Sequence, residues 1–184
     1  MPGMPRRGPL MTIVDHDVFL SNDDGLEIPI RSGEIREAVC AVLDHEGVDR
    51  CCSVSVSIVD AADIRELNHE WRGIDAATDV LSFECDSPFD DETPVDETVE
   101  LGDVILCPSV ICEQAPRFGN DPGQEFRLML VHGLFHLLGY DHMAEDEALE
   151  MEAAELDVLR ALASTRGEDP ATVKIGPTTR HIDD

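Results

Sequence analysis

The sequence predicts a single domain of the α/β class, more narrowly α+β, in which helices pack a small mixed β-sheet. The chain of 184 residues is long enough for one domain with a sizeable core. In its first half, segments with the 3.6-residue period of a helix alternate with segments that have the two-residue period of a strand. In its second half, a segment that is apolar nearly all round predicts a central buried helix, and one more helix follows.

The elements of the first half follow from local patterns. A first strand is predicted within residues 12–20. Apolar residues recur at helical spacing between Ser32, a residue type that caps helices, and Gly47, and they predict a helix there. Residues 52–59 alternate serine with valine or isoleucine, which predicts a half-buried strand. The following helix is predicted to end at Gly73, and its apolar positions are Ile64, Leu67 and Trp71.

Two more strands are predicted at residues 79–85 and 101–107, with an acidic loop of residues 86–100 between them. The loop lacks the spacing and the glycine of an EF-hand, which favours a solvated loop over a calcium site. Helices are predicted at residues 109–114, 125–138 and 145–163. The last of these is acidic on one face, and its predicted apolar face consists of Leu149, Leu156, Leu159 and Leu162.

The ends of the chain differ from the domain, which is predicted to span residues 11–163. Residues 1–10 are rich in proline and glycine and are expected to be a disordered extension. Residues 164–184 have no periodicity and are expected to be a flexible tail. The six cysteines form no C-x-x-C pair and are interpreted as reduced. The start of the chain does not resemble a signal peptide and no stretch is long enough to span a membrane, so we expect a cytoplasmic protein.

The net charge of the chain is −27, from 13 basic and 40 acidic residues. Such a chain repels polyanions except where its charge is locally reversed. This composition counts against general nucleic-acid binding. It leaves room for a small basic cleft.

Three histidines in eleven residues predict a metal site. His132 and His136 are four residues apart, which places both imidazoles on one face of the buried helix. Gly139 lies where that helix should end, so the chain can turn there and bring His142 back to the first two. Three imidazoles with an open fourth position are typical of a catalytic zinc site. The alternative is a structural cluster without metal.

The ligand spacing also matches that of the metzincin proteases, H-E-x-x-H-x-x-G-x-x-H. The glutamate that serves as their general base would occupy position 133, where this chain has Gly133. A glycine cannot accept a proton, and no convincing Met-turn follows. A protease is therefore the weakest interpretation of the site.

Two long segments stand out as whole motifs. One is HGLFHLLGYDH, residues 132–142, and the other is LNHEWRGIDAATDVLSF, residues 67–83. Together with a third, LGDVI at residues 101–105, they resemble the YbeY family of bacterial endoribonucleases, also called rRNA maturation factors. The resemblance covers residues 35–163.

The resemblance implies a single-strand-specific, metal-dependent endoribonuclease that acts in rRNA maturation, including 3′-end processing of 16S rRNA, and in ribosome quality control. It implies that His132, His136 and His142 hold one zinc ion and that Arg72 is the basic residue of the active cleft. A guanidinium matches phosphate oxygens with paired donors, which suits RNA chemistry. Single-stranded RNA is the expected partner, ribosomal proteins are possible ones, and neither DNA nor a membrane is expected.

Several roles stay open at this point. Arg72 could instead form a surface ion pair with Asp75 or Asp79. Asp79 could orient a ligand histidine or cap a turn, and Asp141, beside a ligand, could act in the same way. Two alternatives to the nuclease also stay open. They are a metal-dependent hydrolase of another substrate, and a non-catalytic ribosome assembly factor with a structural zinc and an acidic surface for ribosomal proteins.

Overall fold

A four-stranded mixed β-sheet and five α-helices form residues 14–176, the part of the chain that the computed structural model describes. The strands are β1 (Asp17–Ser21), β2 (Cys52–Ile58), β3 (Val80–Glu84) and β4 (Val99–Leu106). The α-helices are α1 (Gly33–His45), α2 (Ala61–Arg72), α3 (Pro108–Gln114), α4 (Pro122–Leu137) and α5 (Glu145–Thr165). Short 3₁₀ helices follow α3 and α5, at Ala115–Phe118 and Pro170–Thr172. The predicted α+β class with a small mixed sheet is confirmed.

The strands lie in the order β1-β2-β4-β3. β1, β2 and β4 are parallel, whereas β3 is antiparallel to β4, with Val80 opposite Leu106 and Phe83 opposite Asp103. β3 is therefore an edge strand of the sheet, with a neighbouring strand on one side only.

The two faces of the sheet pack against different helices. Side chains of β2 and β4 pack with those of α1, α4 and α5 in the main core, to which Val80 also belongs. The next residue, Leu81, points to the opposite face and packs with Ile64 of α2 and with Cys107. α4 is buried nearly all round, as its composition predicts.

Gly133 has a packing role that the sequence alone does not show. A Cβ at this position would lie 2.8 Å from Val104 Cγ1 and 3.1 Å from Ser82 Oγ. The hydroxyl of Ser82 donates a hydrogen bond to the carbonyl oxygen of Gly133 at 3.1 Å. Glycine therefore lets α4 approach β3 and β4 closely, and a glutamate would not fit there.

The C-terminal segment contains more secondary structure than its lack of periodicity predicts. α5 continues through Thr165, and a 3₁₀ helix forms at Pro170–Thr172. Beyond it, Val173 and Ile175 pack against the main core. Residues 164–176 thus have helical turns and core contacts that the lack of periodicity did not predict, and the flexibility of the tail stays a prediction.

Other boundaries shift by a few residues. β1 occupies Asp17–Ser21, the end of the predicted range and one residue beyond it, and α4 begins at Pro122, where Asp121 and Gln124 form a capping box, three residues before its predicted start. The predicted N-terminal extension, residues 1–10, and residues 177–184 lie outside the described part of the chain. Within the described part, no helix is both long enough and apolar enough to cross a membrane.

Candidate active site

The three histidines of the predicted metal site come together at the C-terminal end of α4. His132 and His136 lie one turn apart on the helix, and their ring centroids are 4.5 Å apart. The chain turns at Gly139, whose φ of 91° is the left-handed conformation that favours glycine. This turn brings the ring of His142 to 5.4 Å from His132 and 5.0 Å from His136. One ligand nitrogen from each lies within 4.8 Å of the others, so the cluster could hold a metal ion.

Hydrogen bonds to the Nδ1 atoms orient the first two rings. Nδ1 of His136 lies 2.9 Å from the carbonyl oxygen of Tyr140, which can only accept. Nδ1 of His136 therefore carries the proton and donates, and its Nε2 keeps a lone pair. Nδ1 of His132 lies 2.6 Å from Oε1 of the buried Glu155 and, with that carboxylate ionised, donates to it in the same way.

The two Nε2 atoms of His132 and His136 are only 3.0 Å apart. In the tautomers that the Nδ1 bonds impose, both point lone pairs at each other, which is unfavourable without a cation between them. Burial, followed by the charges of His132 and His142, lowers the pKa of His136 to about 4. His136 is therefore neutral at pH 7, as a metal ligand must be. The donor set fits a metal ion that prefers imidazole nitrogen.

Glu155 is a site residue that the sequence reasoning missed. The predicted apolar face of α5 was centred on four leucines, but Leu149 is 54% exposed. The buried face contains Glu155 among apolar residues at helical spacing, namely Ala148, Met151, Val158 and Leu162. The sequence contains a signal for the burial of Glu155, because Glu155 follows Met151 by four residues and precedes Val158 by three, the spacing of one helix face.

A Glu155→Gln substitution should weaken metal binding by roughly 10–100-fold, the usual effect of removing an outer hydrogen-bond partner of a ligand histidine. The amide keeps the shape of the side chain but removes the charge that favours the Nδ1-protonated tautomer of His132. Competition with a metallochromic chelator would measure the affinity. Glu150→Gln, an exposed position on the same helix, is the matched control. Equal affinities for the two variants would contradict the assigned role.

A cleft of about 520 Å³ opens beside the histidines, along the edge strand β3. Its lining includes His132, His136, His142 and, from the C-terminal end of α2, Arg72. The helix stops there because Gly73 takes the left-handed conformation, with a φ of 73°. Two residues distant in sequence, Arg72 and His132, thus face one cavity.

The two acidic partners considered for Arg72 are engaged by other side chains. Asp75 accepts two hydrogen bonds from Arg65, at 2.7 and 3.0 Å. Oδ2 of Asp79 accepts from Nε2 of Gln114 at 2.7 Å. Asp75 and Asp79 thus have other partners, and Arg72 is an exposed residue that lines the cleft.

The model of the endoribonuclease YbeY family matches residues 22–163, which contain the histidines, Arg72 and Glu155. The chain belongs to the YbeY family. Among YbeY relatives, the endoribonuclease YbeY of Salinispora tropica is 38% identical over 81% of this chain and 98% of its own length. That of Exiguobacterium sp. is 40% identical over 71% of this chain and 88% of its own length. The solution structure of TM1509 from Thermotoga maritima has the same fold, with a TM-score of 0.53 at 23% identity, over 82% of this chain and 91% of that one.

The two aspartates considered as outer partners in this YbeY family member have different surroundings. Oδ1 of Asp79 accepts from the backbone N–H of Val80 at 2.7 Å and from the hydroxyl of Thr78 at 3.2 Å. These contacts hold the start of β3 and involve no histidine ring, and the choice between the two roles of Asp79 stays open. Asp141 lines the cleft, and its Oδ1 accepts from the backbone N–H of His142 at 2.7 Å. That bond holds the backbone of His142, and the role of Asp141 toward a ligand ring stays a prediction.

Proposed function

We propose that this chain is a zinc-dependent, single-strand-specific endoribonuclease in which His132, His136 and His142 hold one zinc ion and Arg72 binds the RNA phosphate. The observation that carries the proposal is the shared cleft, in which three imidazole ligands and one guanidinium face the same cavity. Family membership supports it, because relatives 37–40% identical bear the name endoribonuclease YbeY.

The chemistry of the cleft suits a phosphodiester. When bound, zinc supplies Lewis acidity and lowers the pKa of water to about 7. The guanidinium of Arg72 presents parallel N–H donors to two phosphate oxygens and stabilises the negative charge that develops as the ester is cleaved. The carboxylate of Glu155 and the carbonyl of Tyr140 keep the rings of His132 and His136 in the tautomer that leaves Nε2 as the ligand atom.

We place the activity in rRNA maturation, including 3′-end processing of 16S rRNA, and in ribosome quality control. The net charge of −27 favours a role for partner proteins in RNA binding, because most of the protein surface repels free RNA. Basic ribosomal proteins that bind this acidic surface would deliver the RNA to the cleft. The same charge favours the second candidate function, a ribosome assembly factor that holds zinc without cleaving RNA.

Cleavage of a labelled single-stranded RNA oligonucleotide, compared with the same strand in a duplex, tests the nuclease. The zinc-loaded protein should cleave the single strand and leave the duplex intact, because the phosphate must enter a narrow cleft between α2 and the histidines. Chelation of the metal should stop the reaction. A protein that carries zinc and binds ribosomal proteins but cleaves neither substrate would support the assembly factor.

A further inference from the structure

An aromatic pair, an exposed tryptophan on a half-buried phenylalanine, lies in the lining of the candidate cleft. Trp71, the only tryptophan of the chain, has 64% of its surface exposed. Its ring packs against Phe83 with centroids 5.6 Å apart and planes inclined by 58°. Both side chains line the cavity that also contains Arg72 and the histidines. A single exposed tryptophan is ordinary on a protein surface, but one inside a cleft lined with phosphate-binding chemistry has a specific use.

The exposure of Trp71 follows from the topology. The apolar stripe of α2 runs through Ile64 and Leu67 to Trp71, at i, i+3 and i+7. Ile64 is fully buried against the sheet, whereas Trp71 belongs to the last turn, next to the edge strand β3. Phe83, near the end of β3, supports one side of the indole and leaves much of the ring accessible. The sequence pattern predicts that Trp71 packs in the core. In the structure, much of its ring is exposed to solvent.

The charge of the chain makes a neutral binding surface important. RNA-binding proteins usually gain most of their sequence-independent affinity from phosphate contacts, and a net charge of −27 opposes that contribution. Stacking of a base on an aromatic ring does not depend on charge and tolerates every sequence, because each base has a π-face. It also requires an unpaired base, which agrees with a preference for single strands.

We propose that Trp71, supported by Phe83, is a platform on which one nucleobase of single-stranded RNA stacks beside the phosphate bound by Arg72. Trp71 is a positioning residue, because it holds a base and not the reacting phosphate. The proposal rests on the proposed function for its ligand, and it adds how an acidic protein binds that ligand. Trp71 and Arg72 are adjacent at the end of α2, so one nucleotide can contact both through its base and its phosphate.

Because Trp71 is the only tryptophan, tryptophan fluorescence, excited beyond the absorption of Tyr140, reports on this site alone. The full-length protein, with chelator present to prevent cleavage, is titrated with a single-stranded purine RNA octamer that is afterwards shown intact on a gel. We expect strong quenching of the indole fluorescence. An abasic octamer with the same phosphates should bind more weakly and quench little. Equal quenching by both oligomers, or by neither, would overturn the platform.

Variants separate stacking from a structural role. Trp71→Leu should weaken binding of a fluorescently labelled octamer by about tenfold or more, in the range that removal of a stacking ring produces. Trp71→Phe should recover most of the loss. Phe89→Leu, an exposed aromatic outside the cleft lining, should change nothing. Thermal unfolding should be the same for all four proteins, since both changed side chains are largely exposed.

The outcomes distinguish the platform from the nuclease. The platform is kept and the proposed function is rejected if RNA quenches the indole fluorescence and Trp71→Leu binds RNA more weakly, but the zinc-loaded wild type does not cleave RNA. Cleavage with an unchanged KM in Trp71→Leu would reject the platform and keep the nuclease. If Trp71→Leu binds RNA normally but no longer binds a purified ribosomal protein, the ring belongs to a protein interface and the platform is wrong.

Discussion

Purified His136→Ala is expected to contain almost no zinc, whereas the wild type is expected to contain about one zinc ion per chain. His136 supplies one of the three imidazoles, and its Nε2 atom is 3.0 Å from that of His132. Loss of a ligand should weaken binding by more than the roughly 10–100-fold expected for loss of an outer partner. Elemental analysis after dialysis against a chelator gives the zinc content, and circular dichroism shows whether the fold is kept.

The matched control is His69→Ala, which removes an exposed histidine from α2 and should keep the full zinc content. Zinc loss in both variants would indicate general destabilisation. A full complement of zinc in His136→Ala would show that the metal, if any, binds elsewhere, and the account of the three histidines would fail.

Arg72→Glu is expected to abolish cleavage of single-stranded RNA while it keeps zinc and fold. Removal of one preorganised donor to a developing oxyanion typically lowers kcat by about 10²–10³-fold, and a charge reversal adds repulsion of the phosphate. The cost in stability is small, about 0.3–1 kcal/mol, because the change places a negative charge at the C-terminal end of α2. Arg72→Lys should recover only part of the rate, since lysine keeps the charge but not the paired donors.

Arg65→Glu is the control for charge, because Arg65 lies on the same exposed helix and pairs with Asp75 outside the cleft. Arg65→Glu makes the net charge of the protein more negative by two units, as Arg72→Glu does. If cleavage falls equally in Arg65→Glu and Arg72→Glu, the effect is that of total charge. Unchanged cleavage in Arg72→Glu would remove Arg72 from the mechanism.

Local spacing was enough to predict one half of the site. His132 and His136 share a face on any helix, and Gly139 marks the turn that returns His142. The other half depends on tertiary contacts. Arg72 enters the cleft only because the last turn of α2 lies beside β3, and the resemblance to the YbeY family, not periodicity, singled it out.

The missed features share one physical cause, which is packing between elements far apart in sequence. Glu155 becomes a histidine partner because α5 turns that carboxylate toward α4, although a glutamate in an acidic helix is usually solvated. From the sequence, Gly133 shows only that the general base of a protease is absent. In the structure, its close approach to Val104 and Ser82 explains why a glycine occupies this position. Trp71 fits the apolar stripe of α2, yet the edge of the sheet leaves it exposed.

A zinc titration followed by RNA cleavage shows whether the metal held by the three histidines is the catalytic one. Metal-free wild-type protein is loaded with increasing zinc, and bound zinc and the rate of cleavage of a single-stranded oligonucleotide are measured in the same samples. We expect the rate to rise in proportion to bound zinc and to reach its plateau at about one ion per chain, with no rise in His136→Ala. Cleavage at full rate by the metal-free protein, or none at full zinc occupancy, would contradict this expectation.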